Sequence, residues 1–318
     1  MTDLEFLAMQ NSTSVRSPKP ALAARLLRPG FATLSTLAPA LAARVAERLF
    51  LAAPRHPAPA HETAVLAGAR TTTVRVDGAP VTTWTWGHGP RILLVHGWGG
   101  RGAQLASFVE PLVTSGCSVV TFDAPGHGTS PQARSSIVAF LSAIQAVDRT
   151  LGPVRGIVAH SIGTVAAARA LHDGLPAAAA VFIAPPADLV LQSHTRLEAL
   201  GFGRHARELM QARIERRLGV PWSALDVRTY APDMRTPLLV VHDRDDAEVP
   251  WQDGAIIARG WPGAVLSTTG GLGHRRILRD PYVVRAATAF VTERLPGVLA
   301  AAWEDAERER GAPHLTPS

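Results

Sequence analysis

Apolar positions recur at helical spacing between Ala21 and Leu51, at Leu22, Leu26, Leu34, Leu37, Leu41, Val45 and Leu49. Pro29-Gly30 and Pro39 should break or kink this run into short helices. Residues 1–20 are polar, contain proline and are expected to be flexible. Beyond a proline-rich linker from Pro54 to Pro59 the period changes. Thr71–Val76 and Val81–Trp86 read as two strands of a hairpin turning at Asp77-Gly78. Six short apolar strands follow: Ile92–His96, Ser118–Asp123, Gly156–His160, Ala179–Ala184, Leu238–His242 and Val265–Thr269. Helical segments separate them, near Gln104–Thr114, Ser135–Leu151, Ile162–His172, Trp251–Arg259 and Pro281–Arg294. Apolar strands alternating with helices predict an α/β fold with a mostly parallel sheet covered on both faces.

The segment Ala187–Asp233 interrupts this alternation. It is helical and charged, with Leu209, Ile214 and Leu218 on one face and Arg207, Glu215 and Arg216 on others. An insertion of that kind between sheet strands predicts a small helical lid over the strand ends. The expected division is therefore a helical arm and linker over 1–60, a core over 61–186 and 234–318, and a lid over 187–233.

Composition narrows the picture. The chain has 318 residues, 47% of them apolar and 18% charged, enough for a large core in one α/β domain. Cys117 is the single cysteine, so no internal disulfide and no cysteine-based zinc site is expected. No uncharged apolar stretch reaches the ~18 residues of a membrane span. The net charge of +6 is concentrated in residues 1–60, with seven bases (Arg16, Lys19, Arg25, Arg28, Arg44, Arg48, Arg55) against Asp3, Glu5 and Glu47. The rest is nearly balanced and carries no basic run, so a nucleic-acid partner is not expected. Residues 21–51 read first as an arm packed on the body. The second reading is a basic amphipathic surface that touches a membrane or another subunit. Ala40-Leu41-Ala42 resembles an export cleavage site, but about 28 residues precede the apolar run and include Asp3 and Glu5. A cytoplasmic location is the expectation.

In parallel sheets, ligands collect at the carboxyl ends of the strands. Those ends carry the candidate chemistry. His96-Gly97-Trp98-Gly99-Gly100 is a glycine-rich turn whose backbone N–H groups can stabilise a developing oxyanion. Ala159-His160-Ser161-Ile162-Gly163 sets a serine at a sharp strand-to-helix turn flanked by small residues. The turn exposes the hydroxyl at a helix N-terminus, and the Ile162 N–H becomes an oxyanion donor. A serine hydroxyl needs a base, and the base needs an acid to orient it. One further strand runs into Asp243-Arg244-Asp245-Asp246-Ala247-Glu248-Val249-Pro250, and the last into Gly270-Gly271-Leu272-Gly273-His274. The order is Ser, Asp, His, each just past a different strand. His96, His127 and His160 read as packed, hydrogen-bonded side chains, and Cys117 as core. Arg275 and Arg276 read as solvated or paired. No metal-ligand spacing and no phosphate loop is present, so no metal or cofactor is expected.

Together HGWGG, FDAPGHGTS, AHSIG, HDRDDAEVP and GLGH resemble the α/β-hydrolase superfamily in its serine-esterase form, over about residues 70–294. That resemblance implies an eight-stranded, mostly parallel sheet flanked by helices, with a small helical lid. It implies Ser161 as nucleophile, His274 as base and Asp246 as its orienter, with an oxyanion hole from the amides of Trp98 and Ile162. Asp246 is selected over Asp245 and Asp243 by its distance from Val249-Pro250. Departures from the family pattern are Ala159 for a glycine and Asp243 where glycine is common. The expected activity is hydrolysis of a small-molecule ester of a small or medium acyl group. Acyl transfer, thioester or C–C cleavage on the same triad, or binding without turnover, are the alternatives. Trp98, Phe182, Leu189, Trp222 and Trp251 are the candidate pocket residues.

Overall fold

Short apolar runs and one polar-alternating hairpin form eight strands in the computed structural model, which describes residues 22–295. They are β1 (Arg70–Val76), β2 (Ala79–Trp86), β3 (Arg91–Val95), β4 (Ser118–Phe122), β5 (Val154–His160), β6 (Ala179–Ile183), β7 (Leu238–Asp243) and β8 (Val265–Thr269). The helices are α1 (Leu22–Leu37), α2 (Pro39–Leu51), α3 (Ala60–Ala67), α4 (Val109–Thr114), α5 (Ile137–Leu151), α6 (Ile162–His172), α7 (Leu189–Ala199), α8 (Arg204–Leu218), α9 (Val227–Tyr230), α10 (Trp251–Gly260), α11 (Gly273–Arg276) and α12 (Pro281–Thr292). The expected flexible lead over 1–20 and the stretch 296–318 assigned to the core lie outside the described residues.

One sheet holds all eight strands in the order β1-β2-β4-β3-β5-β6-β7-β8. β2 is antiparallel to both β1 and β4, and the remaining pairs are parallel. Asp77 and Gly78 both take positive φ, 48° and 82°, at the β1–β2 turn, the conformation that a two-residue hairpin requires. Alternate residues of the central strands enter opposite cores. Leu93 and Val95 pack with Phe140, Ile144 and Val165 beneath α5 and α6. Ile92 and Leu94 pack with Leu112, Val283 and Val291 beneath α4 and α12. Burial on both faces explains why these strands read as continuous apolar runs.

Helix starts follow capping chemistry. Ser136 Oγ accepts from Ala139 N–H at 3.1 Å to start α5, and Asp280 caps α12 ahead of Pro281. The helix expected near Gln104–Thr114 is divided into a 3₁₀ turn, Gly102–Phe108, and α4. Gly102 N–H donates to Asp123 Oδ1 at 2.8 Å, and Thr121 Oγ1 donates to Gly102 O at 3.2 Å, pinning the segment's start to the end of β4.

Pro39 begins a new helix as expected, but Pro29-Gly30 does not break α1, which runs through both. Tertiary contacts hold its second half. Phe31 stacks on Phe202 with ring centroids 4.5 Å apart, and Ser35 Oγ accepts from Gly203 N–H at 3.0 Å. The chain at Gly201 approaches α1 so closely that a Cβ there would lie 2.4 Å from Arg28 O. These contacts offset the hydrogen bond that proline removes.

The N-terminal helices and the insertion form one unit. Ala42, Ala43, Ala46 and Leu51 of α2 share a core with Leu197 of α7, Ala206, Met210 and Ile214 of α8, and Trp222. Leu225, Val227, Tyr230 and Met234 instead join the sheet core. Glu47 lies buried in the α2–α8 seam, bonded to Arg213 at 2.7 Å and Arg217 at 3.0 Å. Burial alone would raise its pKa, but the two guanidinium bonds outweigh that and hold it lowered.

Replacing Glu47 with Ala should detach α2 from α8, because Arg213 and Arg217 lose their shared acceptor. A loss of about 1–3 kcal/mol is expected, read as faster limited proteolysis within residues 22–51 and a lower urea midpoint.

Candidate active site

The β5–α6 turn forces Ser161 into φ 51°, ψ −127°. A non-glycine residue in that region costs about 1–3 kcal/mol and persists only where its surroundings over-determine it. Ser161 N–H continues the sheet ladder to Ile183 O at 2.9 Å, and Thr164 returns both its N–H and its hydroxyl to Ser161 O. Close approach explains the small neighbours. A Cβ on Gly163 would lie 2.4 Å from His96 O, and one on Gly97 would lie 3.0 Å from Ser161 Cβ. Ile162 opens α6, so its N–H has no acceptor within the helix. Trp98, in the turn after β3, lines the same cavity as Ser161, Ile162 and His274.

The structure brings the three distant polar residues together. Ser161 Oγ lies 3.0 Å from His274 Nε2, and His274 Nδ1 lies 2.7 Å from Asp246 Oδ2. Asp246 is fully buried. Its Oδ1 accepts from Glu248 N–H at 2.8 Å and Val249 N–H at 2.9 Å. Burial pushes its pKa up, but contacts from His242 and His274 and the Val249 amide prevail and hold it well below the usual carboxylate range.

Asp243 is the polar residue that motif reading passed over. It accepts from Thr269 Oγ1, Asp245 N–H, Leu272 N–H and Gly273 N–H, at 2.6, 3.0, 3.1 and 2.9 Å. Asp245 Oδ2 adds a bond from Gly271 N–H at 2.8 Å. Two carboxylates therefore shape the glycine-rich turn that carries His274. The signal was present in the Asp243-Arg244-Asp245-Asp246 cluster, where three acids exceed what one orienting role needs.

His96 and His160 hold backbone groups around the site. His160 Nε2 donates to His274 O at 2.9 Å. His96 Nε2 accepts from Ala124 N–H at 3.0 Å, leaving its Nδ1 to donate to Gly97 O at 2.7 Å. Burial is the main cause that lowers His96 to about 4 and His127 to about 3. Burial, and then the proximity of His274, pushes His160 well below its ordinary value.

A cavity of about 470 Å³ opens above Ser161 and His274. Its apolar walls come from Trp98, from Leu189, Leu197 and Trp222 of the insertion, and from Phe50 of α2. Phe50 sits between Trp222 and Trp98, at centroid distances of 5.6 and 6.3 Å. Of the expected pocket residues, Phe182 and Trp251 do not line it. Phe182 is locked into the sheet core against Trp261, and Trp251 lies beneath Arg244. Arg275 is paired with Glu248 at 3.1 Å, and Arg276 donates to the carbonyls of Leu272 and Gly271.

A model of the alpha/beta hydrolase family matches residues 92–288. The pimeloyl-[acyl-carrier protein] methyl ester esterase of Methylococcus capsulatus is 47% identical over 47 residues, 15% of this chain and 18% of that protein. The enzyme of the same name from Chromobacterium violaceum matches with the same figures. The chain thus spans under a fifth of the curated relatives it matches, 18% of each. Among solved structures, the Pyrococcus furiosus esterase Pf2001 superposes with a TM-score of 0.57 at 17% identity, covering 78% of this chain and 100% of that one. Ferulic acid-bound Est1E of Butyrivibrio proteoclasticus gives a TM-score of 0.53 at 16% identity, covering 72% and 99%. At these identities the likeness is one of fold.

His96, His127 and His160 bind protons less readily in the folded chain than in the unfolded one. The unfolded chain therefore gains protons first as pH falls below about 6.5. Their stabilising effect is complete above that pH and declines toward the folded values. Each contributes a slope of up to about 1.4 kcal/mol per pH unit in that window. Urea midpoints should drop steadily between about pH 6.5 and 4.5, and His127→Gln should flatten the drop. A level profile would contradict this account.

Proposed function

The chain belongs to the alpha/beta hydrolase family, and on that premise we propose that it is a serine hydrolase of carboxylic esters with small or medium acyl groups. One observation carries the reading: hydroxyl, imidazole and carboxylate form a continuous line of contacts, 3.0 and 2.7 Å long, on the floor of a cavity that has both apolar walls and charged side chains such as Glu62, Arg101 and Arg196. Hydroxyl, base and orienting acid arranged in this way activate an otherwise weak nucleophile.

Ser161 Oγ attacks the ester carbonyl while His274 Nε2 takes its proton. The amides of Trp98 and Ile162 receive the negative charge of the tetrahedral oxygen. Collapse breaks the bond to the alkoxide leaving group, which departs as the alcohol on receiving from His274 Nε2 the proton taken from Ser161. Water then attacks the acyl-Ser161 ester with His274 again as base, releasing the acid and restoring the hydroxyl. Asp246 accepts from His274 Nδ1–H throughout and stays ionised, so it stabilises the imidazolium without taking the proton. The buried, neutral His160 holds the His274 backbone without adding a second positive charge.

The curated relatives are named for methyl ester cleavage, and the ester bond is what we carry to this chain. Their carrier-protein substrate is not carried over, because the match spans only 47 residues. A cytoplasmic location belongs to the same reading.

Ser161→Ala should lower turnover by roughly 10⁶ and abolish the mass adduct formed by a fluorophosphonate probe. Wild type that takes up no probe on Ser161 would mark a binding protein instead. Activity on the acid side should fall as a single ionisation, because Asp246 remains charged there. Phe50→Ala should move the best substrate in a series of p-nitrophenyl esters toward longer acyl chains, with soluble expression unchanged.

A further inference from the structure

Most of the exposed large apolar side chains fall on two consecutive helices. Of the eight exposed large hydrophobic residues among the described ones, five lie on α1 and α2: Leu26, Leu27, Leu37, Leu41 and Leu49. Leu26 is 73% exposed and Leu37 78%, far beyond the scattered exposure that ordinary surfaces show. On α2, Leu41, Arg44 and Arg48 follow at i, i+3 and i+7, so they form one stripe. The opposite side of the helix holds the buried residues Ala42, Ala43, Ala46 and Glu47. The stripe is therefore directed away from the protein.

Charge selects what covers it. Arg28, Arg44 and Arg48 are exposed among these leucines, and none of them has an ion-pair partner among the described residues. α1 contains no acid, and the single acid of α2, Glu47, is buried and bound to Arg213 and Arg217. A second copy of this face would bring cations against cations. An anionic lipid surface offers both acyl chains for the leucines and phosphate for the arginines. No described helix is long and apolar enough to cross a membrane, so the helices would lie on such a surface.

We propose that the outer face of α1 and α2 docks on anionic lipid bilayers. Leu49, at the flank of the α2 stripe, is exposed and also lines the cavity above Ser161. Docking therefore sets the cavity beside the lipid surface, where an amphiphilic ester can enter from the headgroup layer. That last step rests on the proposed esterase activity; the docking does not.

The full chain should co-sediment with phosphatidylglycerol–phosphatidylcholine vesicles and not with phosphatidylcholine vesicles alone, and the binding should weaken as salt is raised. The double variants Leu37→Glu/Leu41→Glu and Arg44→Glu/Arg48→Glu should each lower partitioning by about tenfold or more. Neither pair lines the cavity, so hydrolysis of a water-soluble ester should be unchanged and serves as the check on folding. Hydrolysis of a vesicle-borne ester should fall in both variants. The proposal is overturned by absent vesicle binding, by binding that neither double variant weakens, by a dimer in solution that the leucine variants dissociate, or by binding that appears only after residues 296–318 are removed. Vesicle binding by a chain that hydrolyses no ester would leave docking standing and remove the esterase reading.

Discussion

A serine held at positive φ at the end of β5 is the constraint around which this molecule is organised. Ser161 keeps that conformation because sheet, helix and neighbouring loop each remove an alternative. Its N–H is committed to Ile183 O, and its carbonyl receives Thr164. Gly97 and Gly163 let the β3 loop and α6 close in without a clash. Strain at this point is what lifts the hydroxyl off the backbone and into the cavity. Ala159, in place of the usual glycine, is accommodated with its methyl group fully buried in the sheet core.

The imidazole must then be delivered to a position that the serine alone does not define. That task falls to a turn shaped by carboxylates. Asp243 collects three donors from β8 and its loop and a fourth from Asp245 N–H in its own loop, while Asp246 meets His274. The two acids are three residues apart and act differently. One is spent on backbone amides and a threonine hydroxyl, while the other gives one oxygen to two amides of its own loop and the second to the ring. Around them burial lowers the pKa values of His96, His127 and His160, which favours their neutral forms. On the proposed esterase reading, this arrangement keeps the local field simple around the imidazolium that His274 would form.

Above the floor, the cavity is roofed by segments that are far apart in the chain. The insertion after β6 supplies Leu189, Leu197 and Trp222, and the helices ahead of the sheet supply Phe50. Glu47, Arg213 and Arg217 lock the two together from inside. Residues before 92 lie outside the family match, so Phe50 closes the pocket from a part of the chain that the match does not cover. The same α2 helix presents leucine and arginine outward, which ties the chemistry below it to the surface above it.

Much of this was legible in the order of residues alone. Strand and helix periods, the Asp77-Gly78 turn, the serine between a strand and a helix, and the order of serine, acid and histidine are local signals, and each reflects a nearby steric or hydrogen-bonding rule. Pairings across the chain were not legible. Periodicity on α2 announced that one face is buried, but not that α8 covers it. Pro29 is a local helix breaker, and only the contacts of Phe31 and Ser35 with the Phe202–Gly203 turn overrule it. Phe182 and Phe50 are equally apolar in sequence, yet one fills the sheet core and the other closes the cavity. Short-range sterics fix a residue's conformation, whereas its neighbours in space depend on how distant surfaces exclude water together, and that is settled only when the whole chain has packed.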